Sequence, residues 1–246
     1  MKRLLKGIMA LVMIFAVAAC GNKKSVDFTI ATDTTFTPFE FTDDKGKFIG
    51  IDVDILAAIA ENQGFTYKLN SLGFDASMTA VETGEADGMI AGMTINEARK
   101  QKYDFSDPYY TSSVTMAVKK DSSIKAYSDL KGKKVVAKQG TSGLEFAEEN
   151  AKKYGYKVTT VEDSPTMYQM VTNGEVDALF EDTPVIKYQI KIGEVNFKLP
   201  APEEKKCEYG FAVKKGENAE LLKKFNDGLK AIKESGKYDE ILKSYE

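Results

Sequence analysis

The fold is decided by a pattern that the chain contains twice: VETGEADGMIAG at residues 81–92 and VTNGEVDALFED at residues 171–182. Each copy reads as the end of a helix at a glycine, Gly84 or Gly174, followed by Glu-x-Asp and a short apolar strand. Two repeats of a helix, a turn and a buried strand predict two similar α/β lobes.

The segments around the repeat indicate the same organisation. Helices are predicted at 76–83, with Asp75 as the N-cap, and at 165–173, opened by Ser164 with Pro165 at the first helical position. DFTIATDTT at 27–35 and KVVAKQGTS at 134–142 each read as an apolar strand that runs into a polar loop. Ligands of open α/β sheets bind beyond the carboxyl ends of strands, so we expect these loops to face a common cleft.

Two β-prone stretches, VTMAVKK at 114–120 and FAVKK at 211–215, are interpreted as an outward and a return crossing between the lobes. We therefore expect the first lobe to comprise residues 27–111 plus 209–246 and the second lobe residues 112–208. The first lobe is then discontinuous in sequence.

The N-terminal segment predicts export. Three basic residues precede an uncharged apolar run at 7–19 that is too short to span a bilayer comfortably, so residues 1–19 are expected to be a signal peptide. The run ends in VAAC, which resembles a bacterial lipobox. We expect Cys20 to carry a lipid anchor and residues 20–26 to form a short tether. An ordinary secretory peptide with a chance cysteine is the alternative.

Composition excludes several kinds of function. The chain has no histidine, which removes imidazole-based triads and histidine metal sites. We predict no catalytic residue, no metal and no cofactor. Loss of three basic leader residues changes the formal charge from −3 to −6, which argues against a nucleic-acid partner. Cys207 would be the only thiol left, so no intrachain disulfide is expected, and we expect a monomer.

Arginine is rare enough to be informative. Of 34 basic residues only two are arginine, and Arg99 is the one outside the predicted leader. A planar fork of donors suits a carboxylate, and Thr94, five residues earlier, could converge on the same anion. Thr141 and Ser142 open a predicted helix at 143–153, which would provide a second anion-binding element from the other lobe or a simple helix cap.

Five further segments carry a family resemblance: ATDTTFTPFEF (31–41), GIDVDILAAIA (50–60), AGMTINEARKQKYDFSDPYY (91–110), AKQGTSG (137–143) and FEDTP (180–184). They resemble the extracytoplasmic solute-binding proteins of polar amino-acid ABC transporters, and most closely the glutamine-binding branch. The resemblance implies a type II periplasmic-binding-protein-like fold, with two α/β lobes joined by two crossover strands and a ligand cleft between them. It also implies capture of a free amino acid by lobe closure and delivery to a membrane permease, on the outer face of the cytoplasmic membrane.

The expected ligand-binding residues combine both arguments. Asp182 suits the α-ammonium group, as its counterpart does in the family, and the Gly92 carbonyl could join it. Phe36 and Phe74 resemble the aromatic pair that sandwiches the aliphatic part of the ligand. The full predicted set is Asp33, Phe36, Phe74, Ala91, Gly92, Thr94, Arg99, Lys138, Thr141, Ser142, Glu181 and Asp182.

The choice of amino acid depends on three of these residues. Asp33 and Lys138 match family positions near the distal end of the ligand, and together they suit the carboxamide of glutamine. Glu181 departs from the glutamine-binding pattern, which has histidine there. Turned inward, Glu181 would favour arginine, lysine or ornithine, whereas turned outward, or paired with Lys138, it would leave the glutamine prediction intact.

Two other functions stay open at this point. A cyclohexadienyl-type dehydratase can share this fold, although the chain offers no histidine and no obvious acid–base pair for it. A sensory role would require a partner protein that reports lobe closure.

Overall fold

The computed structural model describes residues 26–245. The predicted signal peptide at 1–19, the lipidation site Cys20 and all of the predicted tether except Val26 lie outside these residues. Among the helices formed by the described residues, none is long and apolar enough to cross a membrane.

Short strands alternate with helices along most of the chain, which is typical of an α/β protein. In chain order the elements are β1 (Phe28–Thr32), β2 (Phe41–Thr42), β3 (Phe48–Ile49), α1 (Ile51–Gln63), β4 (Tyr67–Ser71), α2 (Phe74–Thr83), β5 (Gly88–Met89), α3 (Glu97–Lys100), β6 (Tyr103–Phe105), β7 (Tyr110–Lys119), the 3₁₀ helix Tyr127–Leu130, β8 (Lys134–Lys138), α4 (Ser142–Tyr154), β9 (Lys157–Val161), α5 (Ser164–Asn173), β10 (Ala178–Asp182), α6 (Thr183–Lys191), β11 (Phe197–Lys198), β12 (Glu204–Tyr209), β13 (Ala212–Lys214), α7 (Ala219–Glu234) and α8 (Lys237–Lys243).

These elements form two lobes, each built on its own sheet. The first sheet has the strand order β4-β1-β5-β13-β6, with β1 parallel to β4 and β5 and with β13 antiparallel to β5 and β6. The second has the order β11-β7-β10-β8-β9, and β12 pairs with β7. The predicted two-lobed α/β fold is therefore confirmed.

The two connections between the lobes lie side by side. Strand β7 leads from the first sheet into the second, and β12 precedes the return to β13. These strands pair antiparallel, with Tyr209 opposite Tyr110 and Cys207 opposite Ser112. The outward and return crossings thus form one two-stranded ribbon. The return crossing is β12 and not the predicted stretch 211–215, which contributes β13 to the first sheet.

Each lobe has its own apolar core. In the first lobe, Ile55 and Ile59 of α1 pack with Phe225 of α7 in the same buried cluster as Ile30 of β1. In the second lobe, the aromatic ring of Phe180 lies in a buried cluster beneath α4. Two separate cores allow two stable bodies to flank the cleft.

The repeated pattern folds as predicted at its glycines. Helices α2 and α5 end at Gly84 and Gly174, with φ values of +80° and +77°, and the left-handed conformation that terminates each helix suits a residue without a Cβ. Each helix is followed by a buried strand, β5 or β10.

The helix starts differ from the prediction by one or two residues. Helix α2 begins at Phe74 after Gly73, so Asp75 lies inside the first turn and is not the N-cap. Helix α5 begins at Ser164, because the Asp163 carboxylate one residue earlier accepts the Thr166 backbone N–H at 2.8 Å.

Candidate functional site

The cleft between the lobes contains most of the predicted site. The space enclosed there is about 10 Å³, near the minimum that holds one water molecule. The polar groups of the two lobes consequently pair with each other across the cleft. The residues that line this space are Asp33, Phe36, Phe74, Gly92, Thr94, Arg99, Thr141, Ser142 and Asp182.

Arg99 lies in the short helix α3 and its guanidinium connects the two lobes. Nη1 donates to the Thr94 carbonyl and Nη2 donates to the Gly140 carbonyl, each at 2.8 Å. The ring centroid of Phe74 is 5.4 Å from Cζ. Arg99 is only 7% exposed, and this burial lowers the pKa of its guanidinium, opposed mainly by the carboxylate of Glu145. Both ends of the fork therefore bind neutral carbonyl oxygens.

The start of α4 faces Arg99 from the second lobe. Thr141 is the N-cap, and its hydroxyl oxygen accepts the Leu144 backbone N–H at 3.3 Å. The Ser142 and Thr94 hydroxyl oxygens are 2.9 Å apart, which closes the cleft at this point. Capping and cleft formation are thus both present, and the helix begins one residue before its predicted start.

Asp182 ends β10 at the floor of the cleft, where it is 5% exposed. Its carboxylate accepts a hydrogen bond from the Tyr209 hydroxyl of the return strand β12. Burial raises the pKa of Asp182 to about 6, although the Tyr209 hydrogen bond and the charge of Arg99 lower it. The site therefore holds a carboxyl group that is ionised at neutral pH and loses its charge in mild acid.

Asp33 and Lys138 form an ion pair across the cleft, and each side chain is 1% exposed. The Lys138 ammonium also lies 5.8 Å from the ring centroid of Phe36. Because Asp33 follows β1 and Lys138 ends β8, the pair joins the carboxyl edges of the two sheets.

Glu181 turns away from the cleft. Its Oε2 accepts hydrogen bonds from the hydroxyls of Tyr168 at 3.1 Å and Ser164 at 3.3 Å, and its Oε1 accepts the Asp182 N–H at 2.9 Å. Consecutive residues of a strand point to opposite faces, so Asp182 faces the cleft while Glu181 faces α5. Burial raises the pKa of Glu181 to about 7, and the charge of Asp182 adds to this effect.

Two further members of the predicted set do not line the enclosed space. Ala91 is 1% exposed and belongs to the apolar core of the first lobe, beside Met89 and Met93. Lys138 pairs with Asp33, which does line the space.

The structure also adds residues that the sequence argument missed. The Tyr209 hydroxyl donates a hydrogen bond to Asp182, and the Gly140 carbonyl accepts one from the Arg99 guanidinium. Gly140 lies within the AKQGTSG segment that carries the family resemblance, so a signal for it was present. Nothing local marks Tyr209, because its partner is 27 residues away in the chain.

Comparison with known proteins places the chain among binding proteins. The model of the bacterial extracellular solute-binding proteins, family 3, matches residues 28–246. The ABC transporter glutamine-binding protein GlnH of Bacillus subtilis is 32% identical over 265 aligned residues, which cover 96% of this chain and 95% of GlnH.

Two solved structures differ in their agreement with this one. The second substrate-binding domain of Lactococcus lactis GlnP, in an open conformation, is 49% identical, covers 89% of this chain and 94% of its own, and has a TM-score of 0.63. An ancestral arginine-binding protein bound to arginine is 37% identical, covers 89% and 97%, and has a TM-score of 0.82. The lower score at higher identity accords with the closed cleft described above.

Proposed function

Because this chain belongs to the bacterial extracellular solute-binding proteins, family 3, and is an amino-acid-binding protein of an ABC transporter, we propose that it captures glutamine as a zwitterion between its lobes. The observation that carries the proposal is the buried fork of Arg99, which now binds one carbonyl oxygen in each lobe. The enclosed space is too small for an amino acid, so the lobes part to admit the ligand and close around it.

The α-carboxylate of the ligand takes Arg99 as its partner. A carboxylate carries a full negative charge and can accept both N–H groups of the guanidinium as a bidentate pair, so it competes well with the neutral carbonyls of Thr94 and Gly140 for the same N–H groups. The Thr94 hydroxyl and the N-terminal end of α4 at Ser142 add donors from the two sides of the cleft.

The α-ammonium group of the ligand takes Asp182 and the Gly92 carbonyl. Gly92 has a φ of +53°, and a Cβ there would lie 2.4 Å from the Phe36 ring, so only glycine fits this turn next to the ligand. The rings of Phe36 and Phe74 both border the same space and would sandwich the aliphatic carbons.

Glutamine is proposed in preference to a basic amino acid because the cleft, as formed by residues 26–245, offers no free negative charge for the side chain of the ligand. Glu181 is held by Tyr168 and Ser164 inside the second lobe, and the negative charge of Asp33 is neutralised by Lys138. An acceptor and a donor at the distal end suit a carboxamide, whereas a guanidinium or ammonium ligand would compete with the Lys138 ammonium for Asp33. The alternative is arginine, lysine or ornithine, and one solved relative is bound to arginine.

The proposal extends to location and partners. We propose that residues 1–19 are removed and that Cys20 carries the lipid anchor. The protein then acts outside the cytoplasmic membrane, as a non-catalytic monomer that delivers its ligand to a membrane permease. We also propose the lobe boundaries predicted from the sequence, with residues 27–111 plus 209–246 in the first lobe and residues 112–208 in the second.

Ligand identity is tested by thermal unfolding of the mature protein with each of the twenty amino acids and ornithine, followed by calorimetry. A ligand that binds only the folded state raises Tm, so we expect glutamine to give the largest shift. A larger shift with arginine, lysine or ornithine would replace glutamine. Formation of a product from a prephenate-like acid would contradict the non-catalytic assignment.

A further inference from the structure

A second group of buried acids lies behind the cleft in the first lobe. Glu40 and Asp52 are both 0% exposed. The three oxygens Glu40 Oε1, Glu40 Oε2 and Asp52 Oδ1 have no hydrogen-bond partner among residues 26–245 when both groups are treated as carboxylates. The proposed function leaves both acids without a role.

The fourth oxygen connects these acids to the cleft. Asp52 Oδ2 accepts the Gly92 backbone N–H at 2.8 Å and the Tyr109 hydroxyl at 2.8 Å. Gly92 is the turn whose carbonyl is proposed to bind the ligand ammonium, and Tyr109 immediately precedes β7, the outward crossing between the lobes.

Backbone hydrogen bonds fix the positions of the two acids relative to the site. The Phe36 N–H donates to the Glu40 carbonyl at 2.9 Å, and the Asp52 N–H donates to the Phe39 carbonyl at 2.9 Å. A Cβ on Gly50 would lie 2.0 Å from the Phe39 oxygen, so the start of α1 is pressed against the loop that carries Phe36.

A proton shared between the acids pairs two of these three oxygens, and the third is then a neutral carbonyl oxygen of Glu40 instead of part of a buried charge. We propose that Glu40 is a neutral carboxylic acid in the folded protein, that it donates its proton in a hydrogen bond to Asp52, and that this pair positions the Gly92 turn for ligand binding. Glu40 and Asp52 are thus positioning residues, and the inference rests on the proposed function only for the role of Gly92.

The electrostatic surroundings agree with one proton in the pair. Burial raises the pKa of Glu40 well above its ordinary value, and the charges of Asp52 and Asp33 add to this effect. Lys138 is the cation that opposes it, and Lys138 is already paired with Asp33. Burial raises the pKa of Asp52 to about 7, although its hydrogen bonds from Gly92 and Tyr109 lower it.

The remaining group that faces Asp52 is Tyr238 of α8, whose own pKa is raised mainly by burial and to a smaller extent by Asp52. The pair titrates as a unit, so its protons belong to both residues.

The proposal predicts how the stability of the unliganded protein depends on pH. An acid with a raised folded pKa keeps its proton longer in the folded than in the unfolded state. Stability is therefore greatest below the ordinary carboxyl pKa and is lost as pH rises through the folded values, by at most about tenfold in the folding constant per pH unit for each proton. Glu40→Gln keeps the shape and the donor but cannot ionise.

The test compares wild type, Glu40→Gln, Glu40→Met and the control Glu61→Gln, which changes an exposed acid on the same helix as Asp52. Urea unfolding without ligand from pH 5.5 to 8.5 is expected to show a smaller alkaline loss of stability in Glu40→Gln than in wild type and in Glu61→Gln. The infrared band of a protonated carboxyl group is expected to lose intensity in Glu40→Gln and Glu40→Met but not in Glu61→Gln. Parallel pH profiles, an unchanged band, or failure of Glu40→Gln to fold at pH 7 would overturn the proposal.

Ligand binding tests the positioning role separately. At pH 7, Glu40→Gln is expected to bind glutamine like wild type, whereas Glu40→Met, which removes the donor to Asp52, is expected to bind about tenfold more weakly. Equal affinities of these two variants would overturn positioning while leaving the shared proton intact. If no amino acid binds the wild type, the proposed function fails, and the unfolding and infrared results still decide the protonation of Glu40.

Discussion

Replacing Arg99 with lysine tests the proposed carboxylate site most directly. The guanidinium presents two N–H groups that bind at 2.8 Å in fixed, divergent directions. An ammonium group at the end of a lysine side chain retains the charge but cannot reproduce both bonds in one plane. We expect Arg99→Lys to fold and to bind glutamine more weakly.

The size of the loss follows from one missing charge-assisted hydrogen bond. Such a bond contributes about 1.5–3 kcal/mol, which corresponds to about a 10- to 150-fold increase in Kd. The ring of Phe74, 5.4 Å from Cζ, also loses its planar cation, which adds to the loss.

Isothermal titration calorimetry at pH 7.5 measures this effect. The matched control is Lys100→Ala, because Lys100 is the next residue, is 48% exposed in its side chain and pairs with the exposed Glu97 at the surface. An Arg99→Lys affinity within about twofold of wild type, or an equal loss in the control, would refute the assignment of Arg99 to the ligand carboxylate.

Three other predictions concern the end of β10 and the Gly92 turn. Glutamine affinity is expected to fall by up to about tenfold per pH unit as pH drops below about 6, because protonation removes the charge of Asp182. Asp182→Asn should bind weakly at every pH. Calorimetry from pH 5 to 7.5 measures both, and a pH dependence that persists in Asp182→Asn would contradict the role of Asp182. Glu181→Gln is expected to leave glutamine affinity nearly unchanged. It should also stabilise the protein above pH 7, because a carboxyl group with a folded pKa of about 7 contributes less to folding stability as pH rises through that value. A large loss of affinity would mean that Glu181 contacts the ligand. Gly92→Ala is expected to destabilise the protein by about 1–3 kcal/mol more than Gly132→Ala in urea unfolding, because a Cβ at Gly92 would lie 2.4 Å from the Phe36 ring while nothing lies within 4 Å at Gly132; equal losses would contradict the steric argument.

Local signals were sufficient for much of the fold. The C-caps at Gly84 and Gly174 require only a glycine at the end of an apolar period, so the helix ends were predictable. The helix starts were harder to predict, because Asp75 and Ser164 are both acceptable N-caps. The backbone conformation decides whether such a residue or its neighbour occupies the N-cap position. Gly73, with a φ of +92°, starts α2 before Asp75.

The orientation of Glu181 could not be read from its position in the chain. Its direction depends on which face of β10 meets the cleft and on Tyr168, 13 residues earlier, whose hydroxyl donates to it. Both are set by the packing of α5 against the second sheet. The sequence therefore left two classes of ligand open, a carboxamide and a basic amino acid, and the hydrogen bonds of Glu181 support the proposal of the first.

The pairing of Glu40 with Asp52 was also hidden. Asp52 lies in the first turn of α1, where an acidic residue ordinarily faces solvent and interacts with the helix dipole. Contacts of this turn with the loop containing Phe36, with the Gly92 turn and with Tyr109 bury it. Long-range packing thus buries an acid whose position in the first turn of α1 would ordinarily leave it exposed.

The paired crossings restrict how the lobes can move. Strands β7 and β12 are bonded side by side, and the rings of Tyr110 and Tyr209 stack across them at 5.8 Å. Two bonded strands must bend together, so twisting and sliding are resisted while rotation about a single axis stays easy. The open protein then samples few relative orientations, and closing loses little rotational entropy. More of the interaction energy with the ligand is left to appear as affinity.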